Sequence, residues 1–211
     1  MDKNLSAVIQ KRIEHTIEAL RKNRFEAHYL PNKNELMAKV SQMTPPGCSC
    51  SLGGSMTLRE TGVQEFLEKG NFTYYDRYAP GTDPHEAFRN ATTCDVYFTG
   101  TNAITMDGEL YNVDGWGNRV GAICYGPKKV IVVAGYNKIV TDISAARERL
   151  RHIAAPANAI RLDRKTPCAT AGICKGDCAV PERMCSQELI TRLQYIPGRI
   201  CIFILGEQYG Y

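Results

Sequence analysis

Four cysteines crowd one late stretch of this 211-residue chain, Cys168-x5-Cys174-x3-Cys178-x6-Cys185, interleaved with Gly172, Gly176 and Pro181. Thiolates on a glycine-spaced loop are ligands for zinc or an iron–sulfur cluster. A bound metal would also hold together a segment poor in apolar periodicity. The spacing is neither the paired C-x-x-C of a zinc ribbon nor a ferredoxin run. Reduced or partly buried thiols, one or two with a redox role, are therefore the competing reading. Cys48, Cys50, Cys94, Cys124 and Cys201 sit on or near apolar elements and read as core thiols.

A second set of residues points to anion chemistry. Gly53-Gly54-Ser55 follows a short strand and precedes a helix, where glycine lets backbone N–H groups approach an anion. The spacing is neither a dinucleotide fingerprint nor a P-loop, and a tight turn with a hydroxyl cap is the plain alternative. Asp114-Gly115-Trp116-Gly117-Asn118-Arg119 gathers an acid, an amide and a guanidinium ahead of a helix, and Arg119 has the fork to clamp a carboxylate or phosphate. Asn102 and Asn118 are suited to orienting polar groups, and Trp116, the single tryptophan, reads as core filling rather than as a pocket wall. Asp107-Gly108 reads as a hairpin turn. Asn137-Lys138 follows the strongest apolar strand, the place where a strand-end ligand sits in an open α/β sheet.

The elements that must position these groups alternate. Leu5, Val8, Ile9, Ile13, Ile17 and Leu20 recur at helical spacing. Strands are expected at 25–30, 48–52, 72–75, 95–100, 130–135 and 200–205, and helices at 34–43, from 57, at 84–90 and at 142–153, the last capped by Asp142. This alternation predicts an α/β fold with a mainly parallel sheet and helices on both faces. One domain spans 1–211, with 154–185 as a Cys-rich arm or small lobe within it.

Composition narrows the class. The net charge of +4 is dispersed in pairs such as Lys11-Arg12 and Lys128-Lys129. That disfavours nucleic acid and suits a small anionic metabolite. The longest apolar runs, 130–134 and 200–205, are too short to span a bilayer. Nine cysteines, an odd number, with no secretory signal before them predict a reducing, cytoplasmic setting.

Taken together, Gly53-Gly54-Ser55-Met56-Thr57-Leu58-x-Glu60-x-Gly62, Gly100-Thr101-Asn102-Ala103-Ile104-Thr105, Asp114-Gly115-x-Gly117-Asn118-Arg119 and Gly135-x-Asn137-Lys138-Ile139-Val140 resemble the lactate-utilisation (LUD) domain family. Ala154-Ala155-Pro156-x-Asn158, the cysteine quartet and Leu205-Gly206-Glu207-x-x-Gly210-Tyr211 look like its short, stand-alone branch. The resemblance implies a fold like that of the glucosamine-phosphate isomerase, ribose-phosphate isomerase and coenzyme A transferase group, shared with formyltetrahydrofolate cyclo-ligase. It also implies a link to bacterial lactate oxidation, beside iron–sulfur protein subunits. The expected ligand site comprises Gly53, Gly54, Ser55, Thr101, Asn102, Asn118, Arg119, Asn137 and Lys138, with Asp114 or Glu60 as the acid/base group if catalysis occurs. The alternative function is a non-catalytic redox or assembly subunit built on a metal or cluster at Cys168, Cys174, Cys178 and Cys185. Either function is compatible with a homo-oligomer.

Overall fold

A computed structural model describes residues 2–176 and 178–211, so Met1 and Asp177 of the predicted arm lie outside the described residues. In chain order the elements are α1 (Lys3–Lys22), β1 (Glu26–Leu30), α2 (Lys33–Met43), β2 (Ser49–Leu52), α3 (Met56–Glu60), α4 (Val63–Lys69), β3 (Thr73–Tyr74), α5 (Pro84–Ala91), β4 (Val96–Gly100), β5 (Ala103–Thr105), β6 (Leu110–Asp114), α6 (Asn118–Cys124), β7 (Lys129–Gly135), β8 (Ile139–Val140), α7 (Ile143–Arg149), α8 (Ala155–Arg161), α9 (Pro167–Ala171), β9 (Gln187–Thr191) and β10 (Ile200–Leu205).

Six strands form one parallel sheet in the order β1-β10-β7-β4-β2-β3. Its central strands are apolar on both faces, and the period of two divides them cleanly. Val130, Val132, Ala134, Ile200, Ile202 and Ile204 face a layer containing Ile13, Ile17 and Leu20 of α1. Ile131, Val133, Cys201, Phe203 and Leu205 face Leu36, Val40, Leu58, Val63 and Leu67 of α2, α3 and α4. Helices thus cover both faces, as the sequence predicts for a parallel sheet. Caps fix the helix starts: Asp2 accepts from the backbone of Asn4 and Leu5, and Asp142 from Ala145.

A second, four-stranded sheet has the order β8-β5-β6-β9, in which β6 runs antiparallel to both β5 and β9. Its core is small, with Ala103 and Tyr111 packed on Ala146 of α7. The predicted turn at Asp107-Gly108 joins β5 to β6. Gly108 has φ +80°, and a Cβ there would lie 2.5 Å from the Ala19 carbonyl carbon and 2.6 Å from the Leu20 nitrogen of α1. Backbone cannot yield as a side-chain tip does. Gly108→Ala is expected to destabilise by about 2 kcal/mol, read as a lower urea midpoint at unchanged slope.

Two expectations need correction. The helix predicted to stop at Ile153 continues: a π-helical turn, Leu150–Ala154, leads into α8. Pro156 lacks an N–H, and the shifted hydrogen-bond register of the π turn lets the helix pass it. Cys124, expected in the core, is exposed at the end of α6.

The chain leaves β2 towards β3 on one side of the sheet and leaves β4 towards β7 on the other. The β2/β4 pair is therefore a topological switch point, and a crevice opens beyond the carboxyl ends of its strands.

Candidate functional site

A cleft of about 550 Å³ occupies that crevice. Gly54 and Ser55 follow β2, Gly100 and Thr101 end β4, and Lys138 follows β7, all on its wall. The lining carries six basic residues, Arg77, Arg119, Lys138, Arg161, Arg164 and Arg183, against two acids, Asp114 and Glu182.

Lys138 is the central group. It is 3% exposed, and its Nζ donates to Thr57 Oγ1 at 2.8 Å, with no carboxylate partner among the described residues. Burial drives its pKa down to about 7, helped by Arg149 and Arg119 and opposed by Glu60. Gly100, at the end of β4, makes room for Ser55 beside it. A Cβ on Gly100 would collide with Ser55 Oγ and lie 3.8 Å from Lys138 Nζ, so Ser55, Gly100 and Lys138 form one packed corner.

Arg119 is built into the wall. Its Nε donates to Asp114 Oδ1 at 2.8 Å. Nη1 donates to Asn112 Oδ1 at 3.1 Å and, more weakly, to the Gly100 carbonyl at 3.4 Å. Nη2 donates to Asn102 Oδ1 at 2.9 Å and the Val113 carbonyl at 2.7 Å. All five guanidinium N–H groups are thus directed at protein oxygens. Asp114 is occupied in turn, since its Oδ2 accepts the backbone N–H groups of Arg119 and Val120 at 2.8 and 2.9 Å, capping α6. Gly117 provides the left-handed turn into that helix, at φ +82°. Gly53 is constrained by close approach instead: a Cβ there would lie 3.0 Å from the Tyr97 hydroxyl and 3.2 Å from the Arg119 stem.

The other predicted residues divide into two groups. Asn118 lines the cleft, while Thr101 is buried and donates to the Ala103 and Tyr111 carbonyls at 3.0 and 3.1 Å. Asn137 and Glu60 do not line the cleft; they hold the final residues of the chain. Asn137 Nδ2 donates to the Gly210 carbonyl, its Oδ1 accepts from the Tyr209 backbone, and Glu60 Oε2 accepts from the Gly210 backbone. Those contacts carry Tyr211 into the cleft wall. The Tyr211 hydroxyl is buried beside Arg161 without a well-formed hydrogen bond.

Two structural features in and around the cleft escape the sequence reading. Arg149 is buried, donating to the carbonyls of Asn137 and Asn102 at 3.1 and 2.7 Å, and burial lowers its pKa to about 10. Its signal was a charge three residues after inward-facing Ala146. Trp116 is not core. It is 65% exposed and stacks on His85 at a centroid distance of 4.7 Å, with Phe88 edge-on at 5.9 Å. Arg77 lies over the Tyr78 and Phe88 rings, so the cleft mouth is aromatic and basic.

Cys168, Cys174, Cys178 and Cys185 line a second cavity of about 350 Å³. Burial pushes the Cys185 thiol up to about 11, and its three neighbours Cys174, Cys168 and Cys178 add to the rise. Elsewhere, Glu26, His28 and Cys201 bring ligand atoms within 4.8 Å of one another. Glu26 is already paired there, with Lys129 at 2.6 Å and His28 at 3.2 Å.

The comparisons with known proteins bear on this geometry. The LUD domain family model matches residues 13–205. The chain belongs to the LUD domain family. No curated protein matches it. Among solved structures it is similar to the crystal structure of a DUF162 family protein from Deinococcus radiodurans, at 14% identity and a TM-score of 0.50. That likeness covers 95% of this chain and 97% of the other, and it shows a shared fold. The LUD chain described here has no helix, among its described residues, long and apolar enough to cross a membrane.

Proposed function

We propose that this LUD domain serves lactate or related organic-acid metabolism by binding a small anionic metabolite, with the anion's carboxylate or phosphate on Lys138. The observation that carries this reading is a buried ammonium on the cleft floor with no carboxylate partner among the described residues. An uncompensated buried charge is costly, and an anion relieves that cost. The basic excess of the lining and the unpartnered Tyr211 hydroxyl support the same reading. Ser55 and Gly54 stand beside Lys138 to orient the anion, and Asn118 faces the same space.

Asp114 and Arg119 act in this proposal as the frame of the site. An acid/base role fits Lys138 better than Asp114 or Glu60, because an amine with a pKa near neutrality can both hold and release a proton there. Asp114 already accepts three N–H bonds, and Glu60 binds the Gly210 backbone.

Trp116, the single tryptophan, gives a direct test, because all indole emission reports from the cleft mouth. Titration with L-lactate, D-lactate, inorganic phosphate and ribose 5-phosphate at pH 6 is expected to produce a saturable change with at least one of them. Trp116→Phe removes the signal and leaves thermal stabilisation by the same compound in place. No saturable change and no thermal shift with any of the four counts against the proposal.

A further inference from the structure

The cysteine quartet lies outside the chemistry of Lys138 and stands on separate observations. Cys168 sits on α9, and Cys174, Cys178 and Cys185 sit on the loops that follow, yet all four line one cavity of about 350 Å³. No disulfide joins them. Among the described residues, Cys168 is the one buried apolar side chain between Ala159 and Ile200. A stretch of that length has no core of its own to hold it. It turns through Gly172 at φ +70° and Gly176 at φ +85°, and is tied down by hydrogen bonds such as those from the Cys174 backbone to Arg151 and from Ser186 to Asp114, at 2.9 and 2.8 Å. Its four thiols share one cavity, which they line together with Val113, Leu150 and Met184.

We propose that Cys168, Cys174, Cys178 and Cys185 ligate an iron–sulfur cluster. Four thiolates are the ligand set of such clusters. A single zinc needs sulfurs about 2.3 Å from the metal, which places them roughly 3.8 Å apart. Among the described residues, no three of these thiols come within 4.8 Å of one another. This wider spacing favours a group in which separate irons each take a thiolate over a single ion. The surroundings suit it too. Arg147 and Arg151 pair with Glu188 and Glu148, while Lys175 and Arg183 add positive charge beside an anionic cluster. Each thiol loses its proton on ligation. The cluster also acts as the missing core of the segment.

The position has a consequence for the anion cleft. Arg183, Met184 and Cys185 line both cavities, so the Cys185 corner of the cluster forms part of the cleft wall. The cluster assignment holds whether or not Lys138 binds an anion, and its test is separate.

Full-length protein reconstituted anaerobically with ferrous iron, sulfide and a thiol reductant, then desalted, is expected to be brown. It should carry iron and acid-labile sulfide in equal amounts, roughly two to four of each per chain. Cys174→Ser and Cys185→Ser should lose at least half of that iron, whereas Cys48→Ser and Cys124→Ser keep it. A readout independent of any variant is alkylation of the wild type. Reconstitution should shield Cys168, Cys174, Cys178 and Cys185 from iodoacetamide, by mass spectrometry, and no other cysteine. Colourless protein, protein that takes zinc but no iron and sulfide, or shielding of a different set of cysteines overturns the assignment.

Discussion

Arg119→Ala is expected to lower the unfolding free energy by about 3–5 kcal/mol, the loss typical of breaking one side of a buried ion pair. The pair is well enclosed, the two side chains being 12% and 8% exposed. Removing the guanidinium strands the Asp114 carboxylate and leaves the side-chain oxygens of Asn102 and Asn112 and the Val113 carbonyl without this donor. It also frees the start of α6 to shift, because Asp114 caps that helix while held by Arg119. Arg119→Lys should recover little, since an ammonium cannot spread five donors in a plane over these acceptors. Urea unfolding monitored by circular dichroism reads the effect. A variant within about 0.5 kcal/mol of wild type would show that the guanidinium is not a structural knot.

Lys138→Met should have the larger functional effect. With the ammonium gone, the cleft loses the charge on which the anion rests, and binding of any anion that raises Trp116 emission or melting temperature is expected to fall at least tenfold. The same variant should be no less stable than wild type near neutral pH, because it removes a buried charge and leaves only Thr57 Oγ1 without its donor.

The pH dependence follows from the depressed pKa of about 7. Below that value the lysine is charged in the folded and unfolded chains alike, and the cost of burying it is full and constant. Between about 7 and the ordinary lysine value of 10.5 the unfolded chain keeps a proton that the folded chain has lost, so stability rises with pH. The slope from this group is at most about 1.4 kcal/mol per pH unit, and Lys138→Met should lack it. Anion binding runs the other way: it needs the ammonium, so affinity should weaken by roughly 10- to 100-fold from about pH 6 to about pH 9. Calorimetric titration at the two pH values measures this, with the methionine variant giving a flat profile.

Much of the fold is legible in the sequence, for identifiable reasons. Val130–Gly135 and Ile200–Leu205 are apolar on both faces because helices cover both sides of the parallel sheet. Ile13, Ile17 and Leu20 mark α1 by their helical period. The second sheet is another matter. Only its β5–β6 hairpin is marked, by Asp107-Gly108, whereas β8 is two residues long, too short for any alternation to register. Strand β9, Gln187–Thr191, is half exposed and polar at its start. The helix continued past Ile153 because a π turn leads into α8, a register shift that no sequence period marks.

The position of the candidate cleft was legible where topology dictates it. Gly54, Ser55 and Lys138 follow strand ends, and a strand-end rule finds them without knowledge of the chemistry. Residue type alone does not show how two groups are placed. Arg119 has the fork of an anion clamp, yet its neighbours Asp114, Asn102 and Asn112 supply all the acceptors it needs. Trp116 has the bulk of a core residue, yet it stands at the mouth of the cleft on His85 and Phe88. Arg161, Arg164 and Arg183 reach the cleft from the segment that also bears the cysteines, and no spacing in the sequence marks them.

The most direct test is the titration of Lys138 itself. Its side-chain Cε resonance, identified by its absence from Lys138→Met, can be followed by NMR from about pH 5 to about pH 11, alone and with saturating L-lactate or inorganic phosphate. The predicted midpoint is about 7 in the unliganded protein, moving upward when an anion binds. A midpoint at the ordinary 10.5, unmoved by either anion, would contradict the account.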